Sequence, residues 1–357
     1  MVCCKLCLLP ANVPGADIDS SSICTFCRHP AKDDYKDKQN QFNLNRKAEL
    51  EKILTDCRGK CPYDALVCLS GGKDSLYLLY QLKVEYGLNV LAFTTDVNIP
   101  DIAWANIRRT LDKLDIDHLV YRPSARFYRK LFRYLLMNQE ERGAVYTVSY
   151  VYAPLFEGDA LTVATERGIP LVLAGYSPGQ PEPERMEFEF SHKLIAETDW
   201  TPPGLRESGK FTDSELARFW NPQHYPSGTQ FPRYLAPLHA WNYDQDAMIR
   251  KVHDLGLVKR RSHGNPIYSN YPINWLLMYS DLKHFGYNPY APEFSTLIRE
   301  GKASLTYWRF MAPFVNFLIK HQLLLGRNIT QQMRWLGLNN DDLRITQPRG
   351  TYDPKIT

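Results

Sequence analysis

Apolar residues in the chain fall into short unbroken runs that alternate with longer stretches of helical spacing, and this alternation begins near residue 64. Ala65-Leu66-Val67-Cys68-Leu69 is short enough for a buried strand. The run breaks at Ser70-Gly71-Gly72. From Lys73 to about Tyr86 the pattern becomes helical, with Leu76, Leu79 and Tyr80 on one face. Asn89 to Thr95 predicts a second strand that ends at Asp96. A helix over 101–115 follows, with Ile102, Leu111 and Leu114 among its apolar positions. His118 to Tyr121 predicts a third strand, and an aromatic-rich helical region extends from about Ala125 through Arg167. Pro170 to Ala174 predicts a fourth strand, which ends in Gly175-Tyr176-Ser177-Pro178-Gly179-Gln180. This βαβα order predicts an α/β fold with a doubly wound parallel sheet, whose ligand sits at the carboxyl ends of the strands. Ser70 to Ser75, Thr94 to Asp96 and Gly175 to Ser177 all fall at such ends.

The rhythm stops after residue 180. Pro181 to Glu189 is acidic, and 199–237 is rich in Pro, Trp, Tyr and His without clear periodicity, as expected of a lid or a partner surface. Helical patterns return from Asp244 to about Leu257, up to His284, and over 303–338. Residues 340–357 read as a polar tail. The segmentation that follows is a cysteine-rich unit over 1–30, a helical linker over 31–60, a nucleotide-binding domain over 61–198, and a mostly helical acceptor- or partner-binding region over 199–357. The basic run Lys259-Arg260-Arg261-Ser262-His263 suits a phosphate or an acidic substrate, and equally a solvated turn.

Chemistry concentrates in Ser70-Gly71-Gly72-Lys73-Asp74-Ser75. A glycine turn from a strand into a helix N-terminus gathers free backbone N–H groups and the positive end of the helix dipole, and it lets a phosphate approach closely. Ser70 and Ser75 add hydroxyl groups, Lys73 a full positive charge, and Asp74 a Mg²⁺ ligand. The spacing is tighter than that of the Walker A loop, which needs four residues between its first glycine and its Gly-Lys pair. Thr95 and Asp96 read either as nucleotide contacts or as caps of the next helix.

All eight cysteines lie at or before Cys68. Cys4-x2-Cys7 and Cys24-x2-Cys27, separated by sixteen residues, have the spacing of a four-thiolate zinc ribbon; Cys3 is an alternative to Cys4, and an iron–sulfur cluster an alternative to Zn²⁺. Such a segment depends on its metal for much of its stability. Cys57-x3-Cys61 reads as a bystander pair and Cys68 as a small core residue. The net charge of +4 is a weak electrostatic footprint, so tRNA is not favoured. No stretch approaches 18 consecutive apolar residues and the N-terminus lacks a signal-peptide core, which predicts a soluble cytoplasmic protein without membrane contact. Aromatic residues make up 13% and gather after residue 120, which suits a rigid pocket, an interface or a packed core.

SGGKDS resembles the pyrophosphate-binding loop (PP-loop) of the ATP pyrophosphatases, and that resemblance implies ATP, Mg²⁺, an adenylated intermediate and released pyrophosphate. It also implies that Lys73 and Asp74 act in catalysis, that Thr94 to Asp96 lie near the adenosine, and that Gly175 to Gln180 border the reacting α-phosphate. The ribbon, the charged helix, the loop, Phe285-Gly286-Tyr287-Asn288 and Leu297 to Lys302 together resemble the N-acetyl sugar amidotransferases of surface-polysaccharide pathways. That branch implies activation of a sugar amide, free or on a nucleotide sugar, and ammonia from a glutaminase partner. Two departures stand out: Asn270-Tyr271 where relatives tend to have Asn-Cys, and Gly175-Tyr176 where they have Gly-Glu. The rival is a sulfurtransferase that makes a thioamide or a thiolated small molecule or tRNA. The lack of cysteine after Cys68 favours nitrogen.

Overall fold

The computed structural model describes residues 2–29, 33–177, 188–241 and 243–353, and the side chains of all of these except 33–43. Pro178, Gly179 and Gln180 of the predicted turn, and most of the acidic stretch after it, lie outside the described residues.

Among the described residues, β1 (Ala65–Cys68), β2 (Val90–Thr95), β3 (His118–Tyr121), β4 (Leu171–Leu173) and β5 (Arg233–Leu235) form one parallel sheet in the order β3-β2-β1-β4-β5. Leu66 stands opposite both Leu91 and Val172, which sets the register across the centre. Side chains alternate along each strand. Ala65, Val67 and Leu69 join the layer containing Leu76, Leu79 and Ile107, while Leu66 and Cys68 join Phe93, Leu161 and Trp200 on the other face. Burial on both faces is why these strands read as unbroken apolar runs rather than alternating ones.

The helices α1 (Asp33–Cys57), α2 (Lys73–Tyr80), α3 (Asp101–Leu114), α4 (Ala125–Met137) and α5 (Ala144–Arg167) connect or cover this sheet. The helical region predicted as continuous over 125–167 is split. Gln139–Glu140 is extended, and Gly143 turns the chain at φ 94° before Asp281 caps α5 through the Ala144 and Val145 N–H groups. Further along come α6 (Gln245–Asp254), α7 (Ile273–Phe285), α8 (Ala291–Arg299), α9 (Leu305–His321) and α10 (Arg327–Leu336). With α4 and α5, the helices α7, α9 and α10 enclose a second apolar core around Phe132, Leu135, Leu276 and Ile319, while α6 packs on the sheet's layer through Val252 and α8 against the cysteine-rich segment through Leu297 and Ile298. This mostly helical C-terminal region is the one the sequence predicts.

Two expectations are corrected. The stretch 199–237 is not simply an irregular surface. Tyr234 of β5 is fully buried, and the indole N–H groups of Trp200 and Trp220 donate to the Leu194 and Ile195 carbonyls at 2.7 and 2.8 Å. β5 opens on Arg233 between Pro232 and Pro237, so no unbroken apolar run like that of the equally short β4 marks it in the sequence. The sheet therefore draws on chain from both sides of residue 198.

The polar tail is also structured. Ile345–Gln347 pairs in parallel with Gln139–Glu140. Tyr352 is fully buried; its hydroxyl donates to the Asn138 carbonyl at 2.8 Å and its N–H to Glu140 at 3.0 Å. Arg142 pairs with Asp353 at 3.0 Å. Tyr352→Ala is expected to lower the free energy of unfolding by about 3 kcal/mol, because it opens a cavity and strands a buried carbonyl. Urea denaturation followed by fluorescence measures this; no change in the midpoint would return residues 340–353 to the status of a tail.

Candidate active site

In the order β3-β2-β1-β4-β5 the connections leave β1 in one direction and reach β4 in the other, so the switch point lies between β1 and β4. Open parallel sheets bind ligands at the carboxyl ends of the strands at this point. β1 runs into Ser70-Gly71-Gly72 and β4 into Gly175-Tyr176-Ser177, and both loops line a cavity of about 870 Å³. That volume falls in the range of small-molecule sites.

Close packing shapes the loop. Gly71 has φ +79°, and a Cβ there would sit 2.5 Å from the Ala103 carbonyl oxygen of α3. Gly175 has an ordinary φ, but its Cβ would lie 2.8 Å from the Ser75 nitrogen and 3.0 Å from the Asp74 carbonyl carbon. Both positions are therefore closed to any larger residue without a backbone shift. Gly72 precedes α2 as its N-cap, and Lys73, Asp74 and Ser75 form the first turn. The hydroxyls of Ser70 and Ser75 lie 3.2 Å apart, and Ser75 Oγ donates to the Gly72 carbonyl at 3.1 Å, which fixes the curl of the loop.

Lys73 is only 4% exposed, and its ammonium meets Asp74 Oδ2 at 2.7 Å. Tyr243, between β5 and α6, donates its hydroxyl to Asp74 Oδ1 at 3.1 Å and turns its ring towards the ammonium. Burial alone would depress the Lys73 pKa; Asp74 and Tyr243 more than offset it, and the net shift is upward. The site thus holds a buried lysine ammonium against the Asp74 side chain. On the facing wall, Glu293 of α8 lines the cavity. Burial pushes its carboxyl up to about 7, with Lys73 opposing the shift and Asp74 adding to it.

The second loop divides differently. Thr94 is buried; it donates to the Leu69 carbonyl at 2.6 Å and meets His118 Nε2 at 2.8 Å, and it does not line the cavity. Asp96 accepts from the Ile99 N–H at 3.4 Å and lies 3.7 Å from Arg122, the arrangement of a turn residue. Thr95 is the member of this trio that reaches the cavity wall, and its hydroxyl donates to Asp159 at 3.1 Å. Lys259, Arg260 and Arg261 are exposed and do not line the cavity, although Asn106 joins the His263 carbonyl of the same run to that of Gly71, each at 3.1 Å.

Cys4, Cys7, Cys24 and Cys27 bring their sulfur atoms within 4.8 Å of one another, with 3.8 Å between Cys4 and Cys27 and 3.6 Å between Cys7 and Cys24. A single tetrahedral ion with bonds of about 2.3 Å spaces its sulfurs by roughly 3.8 Å, so the cluster fits one thiophilic ion. Cys3 is outside the cluster and lines the cavity together with Leu8 and Pro10. The ribbon is therefore not a free appendage on a linker. It packs on Leu297, Ile298 and Trp308 of α8 and α9, and Arg299 donates to Cys7 Sγ at 3.5 Å. Cys57 is buried in the sheet's core layer, and burial pushes its thiol up to about 11. Cys68 lines the cavity beside the loop, its thiol raised to about 12 by burial and lying 3.7 Å from the Tyr234 hydroxyl.

Sequence reasoning missed Tyr243, Glu293 and Asn274 as cavity residues, whereas Thr95, read there as a nucleotide contact or a cap, does line the cavity. The three missed residues come from chain beyond residue 240, and nothing in their local pattern marks them. The departure noted at Asn270-Tyr271 does fall on the cavity wall.

No protein-family model and no curated protein matches the chain. Solved structures overlap it weakly. A U34-tRNA thiolase, NcsA, from Methanococcus maripaludis with its [4Fe-4S] cluster is 13% identical, with 94% of this chain and 89% of that one covered and a TM-score of 0.35. NMN synthetase from Francisella tularensis is 12% identical over 85% of this chain and 97% of that one, TM-score 0.35. The NH3-dependent NAD synthetase from Campylobacter jejuni subsp. jejuni NCTC 11168 is 11% identical over 82% and 96%, TM-score 0.35.

Asp159 gives a pH signature. Burial pushes its carboxyl up to about 7, against the Thr95 hydrogen bond and the charge of Arg218. A group with a raised folded pKa contributes stability at low pH that is lost as pH rises through that value. Relative to Asp159→Asn, the wild type is expected to lose stability between about pH 4 and pH 7. Chemical denaturation across that range reads the difference, and a wild type that gains on the variant as pH rises would contradict it.

Proposed function

We propose that this protein is an ATP-dependent, AMP-forming enzyme that activates an amide carbonyl oxygen of a small-molecule acceptor, a sugar or nucleotide sugar, and replaces it with nitrogen. The observation that carries this reading is the SGGKDS loop at the switch point of a parallel sheet, with a buried, permanently charged Lys73 at the start of α2 and a cavity large enough for two ligands in front of it. The resemblance to the PP-loop ATP pyrophosphatases supplies the reaction type.

The pyrophosphate end of ATP would rest on the N–H groups of the loop and the first turn of α2, where Lys73 neutralises the developing charge. Asp74, with its hard carboxylate oxygens, is the residue to hold Mg²⁺, which adds charge neutralisation when bound. The acceptor's carbonyl oxygen attacks the α-phosphorus, the bond to the bridging oxygen breaks, and pyrophosphate leaves. Ammonia then attacks the activated carbon, the carbon–oxygen bond breaks, and AMP departs to give an amidine. Gly175 keeps the second loop against Ser75 and so sets the distance between the two ligands. Glu293, on the cavity wall, would take up a proton from the incoming ammonia. A glutaminase partner would supply the ammonia, and the pathway would be surface-polysaccharide synthesis in the cytoplasm.

One observation favours a second reading. Cys3 and Cys68 both line the cavity, so thiols are at hand for a sulfurtransferase even though no cysteine follows Cys68.

Purified protein with ATP-Mg²⁺, candidate sugar amides, and either ammonium or sulfide is expected to yield AMP and pyrophosphate, with product mass that of an amidine. A thioamide would move the assignment to sulfur, and ADP with phosphate would end the adenylation mechanism. Lys73→Ala is expected to cut turnover at least about a hundredfold; unchanged turnover would remove the loop from the reaction.

The four-cysteine cluster is assigned one zinc ion with a structural role, since four protein ligands leave no open position. Elemental analysis is expected to give about one zinc per chain, with a lower melting temperature after chelation. Iron with acid-labile sulfide would replace zinc by a cluster.

A further inference from the structure

The surface of α9 carries an apolar stripe that the reaction does not use. Phe310, Phe314 and Phe317 are 71%, 46% and 50% exposed, at a spacing that puts them on one face of the helix with the exposed Tyr307. The stripe continues past the helix end into Leu323 and Leu324, the latter 67% exposed. The opposite face of α9 is anchored, with Trp308, Val315 and Ile319 buried. These are large side chains of a firmly packed helix, and contiguous exposed apolar surface of this kind marks an interaction site.

Charge says what kind. No acidic residue occurs between Glu300 and Asp341, whereas Lys302, Arg309, Lys320, Arg327 and Arg334 all fall in that span. Lys320, three residues after Phe317, and Arg327, three after Leu324, are exposed. Asp246 is the acid that acts on the stripe, at its Tyr307 end, so the end with Phe317, Lys320, Leu324 and Arg327 is the basic one. A two-fold dimer through this end would set rings on rings but cations on cations, and the segment itself supplies no carboxylate to separate them. No described helix is long and apolar enough to cross a membrane, so the stripe does not belong to a spanning segment. Aromatic and aliphatic side chains followed by lysine and arginine on one exposed face have the composition of a helix that lies in the headgroup region of an anionic bilayer.

We propose that Phe310, Phe314, Phe317 and Leu324, with Lys320 and Arg327, form a peripheral docking surface for an anionic lipid membrane. The sequence alone predicts no membrane contact, because its hydropathy is read for spans and the stripe interleaves with buried positions. The proposal is independent of the reaction assigned above. It also has a geometric sequel. Arg309, Ala312 and Asn316 of the same helix line the cavity, so docking would hold the catalytic cavity close to the lipid surface.

The test is flotation of the full chain with vesicles of phosphatidylcholine alone or with about 30% phosphatidylglycerol, at low and high salt. Binding to the anionic vesicles is expected to be at least roughly tenfold tighter and to weaken with salt. Phe310→Ser/Phe314→Ser/Phe317→Ser is expected to abolish it with an unchanged melting temperature, and Lys320→Glu/Arg327→Glu to remove the preference for phosphatidylglycerol. No binding by the wild type, or equal binding by the triple variant, would overturn the proposal. So would a dimer seen by analytical ultracentrifugation that the triple variant dissolves, since the stripe would then belong to a second copy.

Discussion

A lysine ammonium with almost no access to water is stable only if its charge is met, and the contact between Lys73 and Asp74 meets it at 2.7 Å. Much of the architecture converges on that pair. The turn after β1 delivers both residues, chain beyond β5 delivers Tyr243, and α8 delivers Glu293. Three separate parts of the sequence therefore share one electrostatic site. Removing any one of these groups changes the balance felt by the others, because a buried charge cannot borrow compensation from solvent. A phosphate entering the loop would compete with Asp74 for the same ammonium, so the ion pair also tunes how strongly an anion is drawn in.

The cavity lies between the sheet and the helical core. The sheet contributes the loops at the switch point, and the helical core contributes the facing wall. The ribbon closes one end through Cys3, Leu8 and Pro10. Because the ribbon rests on Leu297, Ile298 and Trp308, its metal would stabilise that end of the cavity as well as its own fold. This gives a short cysteine-rich segment a bearing on the site without any role for its metal in the reaction.

Legibility in the sequence tracked local pattern. The strands β1, β2 and β4 were readable because apolar runs of five to seven residues end in glycine or aspartate turns, and β3 because its short apolar run ends before Pro123 and stands between two helical stretches. The cysteine spacing was readable because two identical pairs state the ligand set. β5 was not, since it opens on Arg233 between Pro232 and Pro237 and makes no unbroken apolar run. Thr94 and Thr95 show the finer limit. Both stand at the same strand end, and only the pleat decides that Thr95 reaches the cavity while Thr94 turns to Leu69 and His118. Tyr243 and Glu293 were beyond reach because their relevance is purely spatial.

The parallel pairing of Gln139–Glu140 with Ile345–Gln347, and the bond from Tyr352 to Asn138, tie the end of the chain to its middle across more than two hundred residues. Contacts of such long range close late, because the loop between them must first be brought together. The strands β1 to β4 and the turn after β1 lie nearer one another in the sequence, so their pairing closes shorter loops than the seam beside α4 and α5 does. One wall of the cavity is thus set by contacts of moderate range, and the other by contacts that reach across more than two hundred residues.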